Sequence, residues 1–250
     1  MLLLKLLKII YKICYNFTGD NMKYKILLID IDDTLLDFHK SEDIAIRKLF
    51  EKYIPEQAEK IVPEYKKINK QYWRMHEEGK IGREELIVKR FKDIFNSVGL
   101  YDYDFSKINE EYFSILANVP VEIDGAEEFL KVASMMFDIY AVTNGVKRVQ
   151  ERRLSLVSIP KYFKKIFISE EVGYQKPDTR FFDHVFKELN IKLKDEVVIF
   201  GDSLSSDIQG GINYNIDTIW YNPKGLESDV NYTYSVKSYE EFFELMEKMK

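Results

Sequence analysis

LLIDIDDTLLDF, residues 27–38, sets three aspartates within four positions directly after an apolar run. From Lys25 to Ile31 that run is short and continuous, the pattern of a strand buried on both faces of a parallel sheet. Its acidic end needs a physical reason. Adjacent carboxylates repel one another and lose hydration, so each costs stability unless a cation or a proton compensates it. Asp, Ser and Thr also serve in turns and as helix N-caps. Asp37 or Ser41 fits that role before the helical stretch that follows, and Asp32 and Asp33 taken alone fit a turn.

Runs of the same kind recur along the chain. FDIYAVTNG (137–145), KIFIS (165–169), EVVIFGDS (196–203) and DTIWYN (217–222) are short, β-branched or aromatic, and followed by polar turns. They alternate with the helix-like stretches GAEEFLKVASM, VKRVQERRLSLV, TRFFDHVFKEL and SSDIQGGINYN. Strand and helix in repetition predict an α/β fold built on an open parallel sheet with right-handed crossovers. Residues 38–119 differ. SEDIAIRKLFEKY, AEKIVPEYKKINKQYWRMHEEG, REELIVKRFKDIFNSVG and DFSKINEEYFSILANV all space their apolar residues helically, with little strand character. The expected organisation is a core of residues 22–37 and 120–250 with a helical insertion at 38–119, joined by short hinges near 36–40 and 118–125.

At 250 residues the chain is long enough for a core domain and a sizeable insertion. A formal net charge of -5 argues against a nucleic acid polymer or a polyanionic membrane surface as partner, while a small anion at a local positive site remains compatible. Cys14 is the single cysteine, which excludes an internal disulfide and a cysteine-based zinc site and suits a reducing cytoplasm. Residues 1–21, MLLLKLLKIIYKICYNFTGDN, are too interrupted by lysine for a membrane-spanning helix. An amphipathic surface helix is one reading of them. The preferred one is an N-terminal extension translated from upstream sequence, since Met22 opens MKYKILLIDIDDT as a natural start.

In an open parallel sheet, ligands bind outside the carboxyl ends of the strands. Asp30, Asp32 and Thr34 follow the first strand, Thr143 and Asn144 the second, Lys176 lies in the GYQKPD loop, and Asp202 and Asp207 follow EVVIF. Four strand ends thus bring carboxylates, a hydroxyl, an amide and an ammonium to one rim. His39, His76 and His184 have no partner spacing and read as solvated helix residues. Tyr72, Trp73 and Arg90, in the aromatic-rich insertion, are candidates to reach a base or sugar.

DIDDTLLDF, VTNG, QKPD and GDSLSSD, in that order, resemble the four motifs of the haloacid dehalogenase-like hydrolases over residues 22–250. The stretch from Asn144 to Phe186 is also similar to the bacterial pyrimidine 5'-nucleotidase subfamily, and the insertion to that family's C1 cap. The resemblance implies a Rossmann-like core with the cap after its first strand. It implies a Mg2+-dependent phosphatase acting on a small-molecule phosphate ester through an aspartyl-phosphate. Asp30 would be the nucleophile and Asp32 the general acid and base. Thr143, Asn144 and Lys176 would hold the phosphoryl group. Asp30, the Asp32 main-chain carbonyl and Asp202 would bind metal, with Asp207 behind them orienting a metal-bound water or Lys176. Asp32 excludes the dehalogenase branch, which lacks this second aspartate. Nucleoside monophosphates are the leading substrates, with a sugar-phosphate phosphatase or a phosphomutase as runner-up. A phospho-accepting signalling module is a distant third, because such a module is about half this length and has no helical cap.

Overall fold

The computed structural model describes residues 22–249, so the extension assigned to residues 1–21 lies outside it. Six parallel strands form one sheet: β1 (Ile26–Ile29), β2 (Asp138–Thr143), β3 (Lys165–Ile168), β4 (Val197–Gly201), β5 (Asp217–Tyr221) and β6 (Tyr234–Val236). Their order is β3-β2-β1-β4-β5-β6. The chain winds outward in one direction from β1 to β3, then returns to β1 and winds the other way. This reversal beside β1 is the switch point at which such sheets open a crevice for ligands. Leu27, Leu28 and Ile29 are fully buried, as a central strand covered on both faces requires. Register aligns the strand ends: Ile29 pairs with Ala141 on one side and Phe200 on the other. The residues that follow therefore leave the sheet along one edge.

The sheet is flanked by helices whose apolar faces supply its core. Phe181, Phe182, Val185 and Phe186 of the helix Thr179–Glu188 cluster with Leu28, Val142 and Ile199 of the strands. The sixth strand was not foreseen, because YSV is three residues long with an exposed serine at its centre and carries no apolar run. Among the described residues no helix is long and apolar enough to cross a membrane.

By their contacts the residues fall into two compact units. Among the described residues, the sheet unit comprises residues 22–36, Glu122–Lys147 and residues 157–249. The second unit comprises Asp37–Val121 and Arg148–Leu156. It holds the helices α1 (Phe38–Tyr53), α2 (Ala58–Glu77), α3 (Arg83–Ser97) and α4 (Phe105–Ala117). Asp37 caps α1, its side chain accepting from the Lys40 N–H at 2.8 Å, and Asp104 caps α4 in the same way. A nest of rings fills this unit, with Tyr65 stacked on Phe91 at 5.4 Å and edge-on to Phe50 at 5.7 Å. Strand and helix alternation assigns VKRVQERRLSLV to the sheet domain, but residues 148–156 group with the insertion. Arg152 donates to Asn118 at 2.9 Å, and Arg148 pairs with Glu110 and lies over the Phe113 ring. Such side-chain pairings carry no periodicity and leave no trace in a hydropathy pattern.

Candidate active site

Every residue of the predicted constellation belongs to the sheet unit. Asp30 follows β1, and its N–H donates to the Phe200 carbonyl at 2.9 Å, which continues the strand ladder for one more residue. Beyond it the chain turns tightly. Asp33 adopts a left-handed conformation (φ 55°), a region that aspartate tolerates better than most residues, and its N–H donates to the Leu36 carbonyl at 2.7 Å. Asp30 is 7% exposed and Asp32 is half-buried.

Lys176 is the hub. Its ammonium, 1% exposed, donates to Asp30 Oδ1 at 2.7 Å, to Asp207 Oδ1 at 2.6 Å and to the Val142 carbonyl at 2.7 Å. Burial opposes its charge, but the carboxylates of Asp207 and Asp30 outweigh burial and raise its pKa above the ordinary lysine range. Asp207 is fully buried and both its oxygens are engaged, Oδ1 by Lys176 and Oδ2 by the Ser203 N–H at 3.1 Å. It rides on a π-type turn, Leu204–Ile208, in which the Asp207 and Ile208 N–H groups both donate to the Ser203 carbonyl. Gly201 makes room for it: a Cβ there would stand 2.3 Å from Asp207 Oδ2.

The side-chain amide of Asn144 is committed at both ends to the backbone of Lys176, donating to its carbonyl at 2.8 Å and accepting from its N–H at 3.0 Å. These two bonds make Asn144 a support of the lysine loop. Thr143 ends β2 and is 1% exposed, its hydroxyl accepting from the Gly145 N–H at 3.0 Å. Of the histidines, His76 departs from the solvated reading, since its Nδ1 meets the Ile81 carbonyl at 2.9 Å. Arg90 departs further. It is 1% exposed inside the second unit, where it donates to Asn69 and Asn109 at 2.7 and 2.9 Å.

The donor set suits a hard divalent cation. One carboxylate oxygen from each of Asp30, Asp202 and Asp207 lies within 4.8 Å of the others. Burial, then the charge of Asp207, pushes Asp30 well above the usual carboxylate range despite Lys176. Burial, then Asp207 and Asp30, does the same to Asp202. Three carboxylates against one ammonium leave negative charge that a cation would neutralise, and oxygen donors select magnesium or calcium over softer metals. Because Asp207 is taken up by Lys176 and Ser203, Asp30 and Asp202 are the side chains suited to hold it.

The model of the haloacid dehalogenase-like hydrolase family matches residues 24–215. The chain is 36% identical over 226 residues to the HAD-hydrolase YfnB of Bacillus subtilis, covering 90% of this chain and 96% of that one. The crystal structure of YfnB bound to magnesium, described as revealing interdomain movement, superposes with a TM-score of 0.84 over 90% of this chain and 99% of YfnB. The pyrimidine 5'-nucleotidase PynA of Streptococcus pneumoniae is 36% identical over 230 residues, 91% of this chain and 97% of PynA. YjjG of Escherichia coli, also a pyrimidine 5'-nucleotidase, is 28% identical over 231 residues, 90% of this chain and 99% of YjjG.

Proposed function

The chain belongs to the haloacid dehalogenase-like hydrolases, and from that premise we propose that it is a magnesium-dependent phosphatase of nucleoside monophosphates, pyrimidine nucleotides first. The observation that carries the chemistry is the Lys176 ammonium held between Asp30 and Asp207 beside the end of β2. The substrate class is supported by the likeness to PynA and YjjG.

Phosphoryl transfer asks for a positioned nucleophile, in-line geometry and stabilised charge on the phosphoryl oxygens. Asp30 attacks phosphorus and forms an aspartyl-phosphate as the ester P–O bond breaks. The leaving oxygen takes its proton from the Asp32 carboxyl. Asp32, now a carboxylate, then removes a proton from the water that attacks the aspartyl-phosphate, so that inorganic phosphate leaves and both aspartates return to their starting states. Lys176 fixes the rotation of the Asp30 carboxylate and offsets the phosphoryl charge, and Asn144 holds the peptide from which Lys176 springs. The Thr143 hydroxyl binds a phosphoryl oxygen. Asp30, Asp202 and the Asp32 main-chain carbonyl would hold a magnesium ion, which would supply the charge neutralisation that keeps Asp30 ionised and lets an anionic substrate approach.

Phosphate release measured over a panel of nucleoside monophosphates and sugar phosphates, with magnesium and with excess chelator, tests this. The expected result is highest kcat/KM on pyrimidine monophosphates, loss of turnover in chelator, and no turnover by Asp30→Asn. Preference for a sugar phosphate would leave the chemistry and reject the substrate, whereas normal turnover by Asp30→Asn would reject the covalent mechanism.

A further inference from the structure

Asp202 hangs from its own backbone, and that backbone is pinned by Thr34 of the first motif and by Trp220 from outside the motifs. Its N–H donates to Thr34 Oγ1 at 3.0 Å, and the same hydroxyl reaches Asp202 Oδ1 at 3.4 Å. Its carbonyl accepts from the Trp220 indole N–H at 2.9 Å. Thr34 in turn is held by its carbonyl, which accepts from the Tyr239 hydroxyl at 2.6 Å in a buried contact. Four residues therefore form one hydrogen-bonded chain, Tyr239 to Thr34 to Asp202 to Trp220, joining the turn after β1, the end of β4, β5 and the C-terminal helix.

Both outer members are anchored by β5. Trp220 pairs in register with Gly201, the residue before Asp202, so its indole starts one strand away from the carbonyl it holds. Tyr221, the next residue, points to the opposite face of the strand. There it stacks parallel to the Tyr239 ring at 5.3 Å, with Phe129 on Tyr239 at 4.6 Å. Trp220 and Tyr239 are 3% and 7% exposed, so water does not compete for their donors. Two consecutive residues of β5 thus brace the two turns that present Asp30 and Asp202.

We propose that Trp220 and Tyr239 are positioning residues for the metal site, which set the Asp202 carboxylate against Asp30 by holding the Asp202 and Thr34 carbonyls. This rests on the reading of Asp30 and Asp202 as magnesium ligands. Hydrogen bonds behind metal ligands typically govern affinity by about 10- to 100-fold.

Calorimetric titration of the full chain with Mg2+ alone, in the absence of substrate, is the test. Trp220→Phe and Tyr239→Phe each delete one donor and keep a ring. Each is expected to weaken magnesium affinity by about tenfold or more and to shrink the rise in Tm that magnesium produces. KM for the phosphate ester at saturating magnesium should stay near the parent value. Phe186→Leu, a core change away from the site, is the control for general loss of stability and should leave affinity unchanged. Affinity within twofold of parent in the two variants overturns the inference, as does an equal loss in Phe186→Leu. If Trp220→Phe does not fold, Tyr239→Phe decides alone, and failure of both to fold assigns the pair to the scaffold and overturns the proposal. A parent chain that binds no magnesium overturns the metal reading, and this inference with it; binding by the parent with unchanged binding by the variants overturns this inference only.

Discussion

Asp202 is held above the ordinary carboxylate range by burial and by the carboxylates of Asp207, Asp30 and Asp33, and the metal-free protein is therefore expected to be sensitive to pH. A carboxyl whose pKa is raised by folding binds more protons folded than unfolded between its two values. The stability it contributes is present in full below the ordinary value near about 4 and is lost as pH rises through the raised one. Asp30 acts in the same direction. In chelator, Tm should therefore fall as pH is raised from acid toward neutral, and magnesium should restore it. Asp202→Asn removes one member of the repelling set without changing its shape. Its chelated form should show a flatter Tm against pH and a higher Tm at neutral pH than the parent, with little gain on adding magnesium. Thermal melts across pH in chelator and in magnesium check this; a parent whose chelated Tm rises toward neutral pH would mean that the cluster is already compensated.

The end of β4 and the π-type turn after it form a single device. Gly201 lets Asp207 lie against the strand, and Asp207 anchors Lys176 from behind. Gly201→Ala would drive a methyl into the Asp207 carboxylate, an overpacking that costs about 1–3 kcal/mol. Because the displaced group is the one that holds Lys176, turnover should drop about 10- to 100-fold, the usual effect of losing such a support. Paired chemical denaturation and phosphate-release assays would show both losses, and a loss of stability with normal turnover would detach Asp207 from the lysine. Much of this element was legible in advance: the five longer strands announce themselves as apolar runs, and the polar residues that end β1, β2 and β4 could be assigned to one rim. Three features were not. β6 is too short and too polar to give a pattern, the hold of the Asn144 amide on the Lys176 peptide spans 32 residues of chain, and Trp220 and Tyr239 act on main-chain carbonyls. A carbonyl is present at every position, so an acceptor of that kind marks no residue in the sequence.

At the scale of the molecule, the two units solve the same problem of buried charge in different ways. The sheet unit gathers carboxylates around Lys176, while the second unit buries Glu42 and Arg90 in a neutralising network through Asn69, whose amide donates to Glu42 at 2.5 Å and accepts from Arg90 at 2.7 Å. Arg90 also lies over the rings of Phe91 and Tyr112, each at 4.9 Å, so its guanidinium fills the centre of that unit. Sequence offered Arg90 as a substrate contact because arginine is seldom so buried; its surroundings make it a core residue. Arg90→Met keeps an unbranched apolar stem but removes the guanidinium and the charge that opposes burial of Glu42. Losing the two bonds that Arg90 donates to Asn69 and Asn109, which leaves buried acceptors without that donor, costs about 1–3 kcal/mol, a sizeable share of a typical total of about 5–15 kcal/mol. Burial already raises the Glu42 pKa, with Arg90 opposing, and without Arg90 it rises further. By the same sign rule the variant should be least stable at neutral pH and recover partly in mild acid. Activity should follow folded protein. At a temperature where the variant is partly unfolded, rates on a nucleoside monophosphate and on a small generic phosphate ester should fall in the same proportion, leaving the ratio of their kcat/KM values unchanged. A tenfold change in that ratio, measured where melts show the variant fully folded, would instead return Arg90 to substrate recognition and require the network around Asn69 to open during turnover.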